Sequence, residues 1–151
     1  MHPPAAAMLP ASKILDINMT AKVQITELTN NGDTRGFSFT APAEALAFVG
    51  RMSDVHVAST KPGAIRGNHF HLVRREALVI MPGARWSLHW NEGEDSPAQH
   101  REFNGATAVL VLISPGASHA VRNDSDDREL QLIAISSETY DPAESVTRKV
   151  T

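Results

Sequence analysis

The alternation of apolar and polar positions predicts short strands along most of the chain. Trp86, Leu88 and Trp90 alternate with Ser87 and His89, the period-two pattern of a strand with one buried face. Val55 and Val57 alternate in the same way. Leu78 and Ile80 fall on one face with Val79 and Met81 on the other, and Val109 to Ile113 is apolar throughout. Both runs therefore read as strands covered on two sides. Further extended runs are expected within Ile14 to Gln24, at Phe37 and Phe39, and over Ile65 to Leu72, His119 to Asn123 and Leu130 to Ser136. Turn signals separate them: Asn31-Gly32-Asp33, Lys61-Pro62-Gly63, Val73 to Arg75, Pro82-Gly83, the acidic stretch Asn91 to Pro97, Pro115-Gly116, and Asn123 to Asp127. The one helical signal is PAEALAFVGR, residues 42 to 51, a turn or two ending at Gly50.

Turns recurring about every 8 to 12 residues predict an all-β sandwich or barrel, and no segment supplies the long crossover helices of a βαβ fold. The expected organisation is a Pro/Ala-rich flexible segment over residues 1–13, a single domain over 14–145 and a tail over 146–151. The start, MHPPAAAMLPA, lacks the basic end and apolar run of a secretory signal. Strands apolar on both faces must be central or covered by a second subunit, so a homodimer is expected.

Composition removes several function classes. A net charge of −3, with no basic tail, argues against a nucleic-acid polymer as partner. No apolar run is long enough to span a bilayer, so no membrane partner is expected. Cysteine is absent, which excludes thiol catalysis and thiolate ligands, leaves nitrogen and oxygen as the only metal donors, and is compatible with the cytoplasm.

The candidate chemistry lies in RGNHFHLVRREALVIMPG, residues 66 to 83. Residues two apart in a strand share a face, so His69 and His71 point together; Glu76 opens the next strand, and His119 follows the Pro115-Gly116 turn. These four would suit a divalent ion of zinc, iron, manganese, cobalt or nickel. Spacing alone leaves open that they are surface histidines or satisfied core histidines.

The run Gly63-x5-His69-x-His71-x4-Glu76-x6-Gly83 resembles the first motif of the cupin superfamily, and Pro115-Gly116-x2-His119-x3-Asn123 resembles the core of its second. The glycine that opens the second motif is displaced upstream, at Gly105. The resemblance implies a cupin, a double-stranded β-helix or jelly-roll barrel, in which His69, His71, Glu76 and His119 ligate one divalent metal, with zinc expected first. Asp33-Thr34-Arg35-Gly36-Phe37, followed by Pro62-Gly63-x2-Arg66-Gly67-x-His69, is similar to the dTDP-4-keto-6-deoxyhexose 3,5-epimerases. The double histidine and the late Tyr140-Asp141-Pro142 look closer to the cupin domain of capsular-polysaccharide enzymes acting on UDP-4-keto sugars. The two groups differ at His69, which is a metal-free general base in the first and a ligand in the second. His71, where the first group has glutamine, favours ligation.

The resemblance implies a small-molecule substrate, a keto sugar nucleotide, with epimerisation or isomerisation as the reaction. Candidate bases are His89 and Tyr140. Arg35 and Arg66 are candidate phosphate contacts, with a salt bridge at the barrel mouth as the alternative, and Trp86 and Trp90 are candidate cavity lining. Two other readings keep the site: a metal-dependent tailoring isomerase, cyclase or dioxygenase on a non-nucleotide molecule, and a non-catalytic metabolite-binding cupin.

Overall fold

A computed structural model describes residues 21–151. The Pro/Ala-rich segment 1–13 and the first part of the Ile14 to Gln24 run lie outside the described residues. The chain forms β1 (Val23–Glu27), α1 (Ala43–Val49), β2 (Asp54–Thr60), β3 (Ile65–His71), β4 (Glu76–Ile80), β5 (Trp86–Asn91), β6 (Gln99–Phe103), β7 (Val109–Ile113), β8 (Ser118–Asn123), β9 (Leu130–Ser136) and β10 (Ser145–Thr147). A 3-10 turn, Pro142–Glu144, precedes β10. Two five-stranded antiparallel sheets, ordered β1-β7-β4-β9-β2 and β10-β3-β8-β5-β6, face each other. This is the expected all-β, cupin-like barrel.

The core follows the alternation. Val109, Val111 and Ile113 of β7 join Leu78, Ile80, Trp86, Leu88 and Val121 between the sheets. The other face of β7, Leu110 and Leu112, is covered by Ala45 and Val49 of α1 together with Leu28 and Phe39. The chain's own helix and loop thus cover much of the apolar surface from which a homodimer was expected. Val55 and Val57, on the outer side of edge strand β2, remain exposed.

Several elements differ from expectation. β6 is a polar edge strand, QHREF, whose sequence carries no apolar alternation to mark it. Phe37 and Phe39 lie in irregular chain, with their rings 5.2 Å apart, after a turn in which Asp33 and Gly36 exchange backbone hydrogen bonds. Residues 146–151, expected as a tail, begin inside β10, and the Val150 N–H donates to Asn68 Oδ1 at 2.9 Å. Trp86 is not cavity lining. It is fully buried, with its ring stacked on Phe103 at 4.2 Å, because β5 turns that face into the apolar core. No helix among the described residues is long and apolar enough to cross a membrane.

Removing the Trp86 side chain leaves a cavity that its neighbours cannot fill, so Trp86→Ala is expected to lower stability by about 3–5 kcal/mol in urea denaturation. A loss below about 1 kcal/mol would contradict its place in the core.

Candidate metal centre

The site begins with an irregularity in β3. The β3–β8 register shifts between Gly67 and His69, and Asn68 takes a positive φ of 57°. Gly67 has a φ of 108°, and a Cβ there would overlap the His119 carbonyl oxygen. Only glycine lets β3 approach β8 so closely at this point. The C-terminal segment holds the bulge: the Arg148 N–H donates to the Asn68 carbonyl at 2.9 Å, and the Arg148 guanidinium sits 3.9 Å over the Phe70 ring.

His69 therefore pairs directly with His119, and His71 stands beside both. The ring centroids lie 4.9 Å apart for His69–His71 and His69–His119, and 5.6 Å apart for His71–His119. One nitrogen from each of the three falls within 4.8 Å of the others. Glu76 enters from the opposite sheet, with Oε2 at 3.2 Å from His71 Nε2 and 3.3 Å from His119 Nε2. Donors about 2.0–2.1 Å from a tetrahedral ion are about 3.3 Å apart, so these spacings suit a shared ion.

Hydrogen bonding on the far side of two rings sets their direction. The His71 Nδ1–H donates to Glu144 Oε2 at 2.9 Å, since a carboxylate only accepts. The His119 Nδ1–H donates to the Ala117 carbonyl at 3.1 Å. Each ring then turns Nε2 toward Glu76, and His71 Nε2 is buried with no hydrogen-bond partner. Two lone pairs against a carboxylate oxygen repel unless positive charge lies between them. The donor set fits a divalent cation, with Glu144 as the carboxylate that orients the His71 ligand.

Protonation follows the same logic. Burial opposes charge on His71, but Glu76 and Glu144 outweigh it and raise its pKa above the usual imidazole value. Burial also opposes charge on Glu76, but His119 and His71 hold it far below the ordinary carboxylate range. His69 is pushed down to about 4, first by burial and then by the neighbouring His119 and His71. For Glu144, burial is outweighed by the Val73 and Arg74 N–H groups and by His71, so its pKa is lowered.

Arg74, within the turn expected over Val73 to Arg75, is buried. Its Nη2 donates to the Thr139 carbonyl at 3.1 Å, with Nη1 3.8 Å from Glu76 and Nε 3.7 Å from Glu144. It offsets part of the charge of the two buried carboxylates.

The cluster opens into a cavity of about 430 Å³ lined by His69, His71, Glu76, His56, Asp54 and Tyr140. A second opening of about 290 Å³ shares His56, His69 and Glu76 and adds His119 and Arg66. Tyr140, largely exposed, stands at the rim of the first. Arg66 lines the second, with Nε and Nη2 donating to the Ser59 carbonyl at 2.8 and 2.6 Å.

Other candidates are not brought to the cavity. His89 accompanies Ser87 on the face of β5 opposite Trp86 and Leu88, bonds Ser87 Oγ at 2.9 Å and stacks on His100. The expectation that it acts as base is corrected by strand alternation. Arg35 pairs with Asp33 in the exposed turn. Trp90 is half-buried, facing His119 in register and packed against the core. Sequence reasoning did not single out Glu144, Asp54 or Arg74 for the site. The Asp141-Pro142 step announces the turn that carries Glu144, but nothing local announces its bond to His71 across 73 positions.

The polysaccharide biosynthesis C-terminal domain family matches residues 31–148. No curated protein matches the chain. Among solved structures, ChmJ, a 3'-monoepimerase from Streptomyces bikiniensis in complex with dTDP-quinovose, is 20% identical with a TM-score of 0.68, over 83% of this chain and 69% of that one. A 3,4-ketoisomerase from Helicobacter canadensis is 20% identical with a TM-score of 0.60, over 82% and 89%. The capsular polysaccharide assembling protein CapF from Staphylococcus aureus is 23% identical with a TM-score of 0.59, over 82% of this chain and 34% of that one, so this chain spans about a third of CapF. These likenesses establish a shared cupin-like fold.

In zinc titration against a chromophoric chelator, the wild type should bind one equivalent and His71→Ala none. Glu144→Gln should bind about 10- to 100-fold more weakly. Unchanged zinc binding by His71→Ala would contradict the centre.

Proposed function

The chain belongs to the polysaccharide biosynthesis C-terminal domain family, and from that premise we propose that it is a metal-dependent cupin enzyme, an epimerase or isomerase of a keto sugar nucleotide. The observation that carries this reading is the convergence of His69, His71, His119 and Glu76 at the floor of an open cavity of small-molecule size. The folds shared with a 3'-monoepimerase and a 3,4-ketoisomerase support it. Zinc is the ion we assign first, because imidazole nitrogen and carboxylate oxygen are donors that zinc takes in four-coordinate sites.

His69, His71 and His119 would hold the ion with Glu76, and when bound it supplies a Lewis acid that polarises a substrate carbonyl. Glu144 fixes the His71 ring, and the Ala117 carbonyl fixes the His119 ring, so neither donor needs to reorganise during the reaction. The sugar occupies the cavity, and Arg66 in the second opening offers a cationic edge to the phosphates. Asp54 and Asp141 line the other arm and disfavour phosphate there. Tyr140 at the rim would exchange a proton with a substrate oxygen. The working unit is taken to be a cytoplasmic homodimer, for which exposed Val55 and Val57 offer a contact.

One observation favours the second reading, a tailoring enzyme acting on a non-nucleotide molecule. Arg66 and Arg35 both spend hydrogen bonds within the chain, on the Ser59 carbonyl and on Asp33, which leaves less for a diphosphate.

The test is solvent exchange. Zinc-loaded protein incubated with dTDP-4-keto-6-deoxyglucose or its UDP counterpart in deuterated water should place deuterium on a carbon beside the ketone, read by NMR. No incorporation with either would contradict the proposal. Arg66→Ala should raise KM about 10- to 100-fold, the loss of one charge-assisted contact. An unchanged KM would favour the non-nucleotide reading.

A further inference from the structure

We propose that His56 is the base that removes and returns the substrate proton, an assignment that rests on the isomerase reading above. Proton transfer beside a ketone needs a group not occupied in holding the ion. His71 and His119 turn Nε2 onto Glu76, and His69 completes their cluster. His89 and His100 stack on the outer face of their sheet. His56 lies outside both groups and lines both openings of the cavity.

Register explains its position. His56 pairs with Ala134, and Ala134 pairs with Leu78, whose side chain is part of the core between the sheets. The His56 side chain therefore shares the inner face, while Val55 and Val57 point outward. The residues shared by the two openings are His56, His69, Glu76 and Ala134, so His56 stands where they meet. The short side chain of Ala134 leaves room in front of it. Two interstrand steps separate β2 from β4, about 10 Å. That is space for a sugar ring between His56 and Glu76.

The histidine cluster belongs to β3 and β8 of one sheet, and His56 to β2 of the other. A substrate held between the sheets presents its ketone oxygen to the cluster and an adjacent C–H to His56. The C–H bond breaks, and its electron pair forms the C=C bond of an enolate as the carbonyl pair moves to oxygen. The proton passes to a His56 ring nitrogen, giving an imidazolium that later returns it to carbon or oxygen. No electrons are gained or lost overall. Asp54, on the same inner face, places a carboxylate near the imidazolium that forms.

The test compares zinc-loaded wild type, His56→Gln, His56→Asn and Tyr140→Phe, using deuterium uptake into dTDP-4-keto-6-deoxyglucose with zinc content measured in parallel. Both His56 variants should keep one zinc and lose about 100-fold or more in kcat for exchange. Their KM should stay within about threefold of wild type. Undiminished exchange in them, a rise in KM alone, or abolition only in Tyr140→Phe would overturn the assignment. A wild type that takes up no deuterium would instead overturn the isomerase reading, and the assignment with it.

Discussion

Two imidazole nitrogens stand within 3.3 Å of one buried carboxylate oxygen, and the rest of the centre is arranged around the charge that this contact requires. Buried ionised groups cost several kcal/mol each unless opposite charge meets them. Here Glu76 and Glu144 are both buried beside a single arginine, with His71 wedged between the carboxylates. Positive charge is the missing component, and a divalent ion supplies more of it than one shared proton. The raised His71 pKa and the lowered Glu76 pKa express the same demand in the metal-free protein.

The fold meets this demand through contacts far from the ion. Gly67 allows β3 to press against the His119 carbonyl, and the C-terminal backbone holds the Asn68 bulge from the other side. The 3-10 turn before β10 delivers Glu144 to His71, and the Val73 and Arg74 N–H groups hold that carboxylate in place. Ligands from one sheet and Glu76 from the other mean that the centre also ties the two layers of the barrel together. The floor of the cavity is thus held by buried hydrogen bonds, while its rim, with Tyr140 and Arg66, is exposed.

The barrel and three of its ligand strands were legible because alternation and turn residues act locally. Alternation also contained the answer for His89: once Trp86, Leu88 and Trp90 are assigned inward, position 89 must face outward. At β2 the same rule misleads. The valines read as buried, yet Val55 and Val57 are exposed, because β2 is an edge strand whose inner face brings Asp54 and His56 to the cavity. Arg74 and Glu144 were hidden for another reason. Their partners lie about 70 residues away in sequence, and only the closed barrel brings them together. The polar edge strand β6 was hidden because an edge exposed to solvent needs no hydrophobic pattern.

X-ray absorption at the zinc edge of the loaded protein addresses the central claim most directly, because it counts and identifies the donors. The account predicts three imidazole nitrogens and one carboxylate oxygen at about 2.0–2.1 Å. A shell with one imidazole or none, or one made only of oxygen donors, would contradict it.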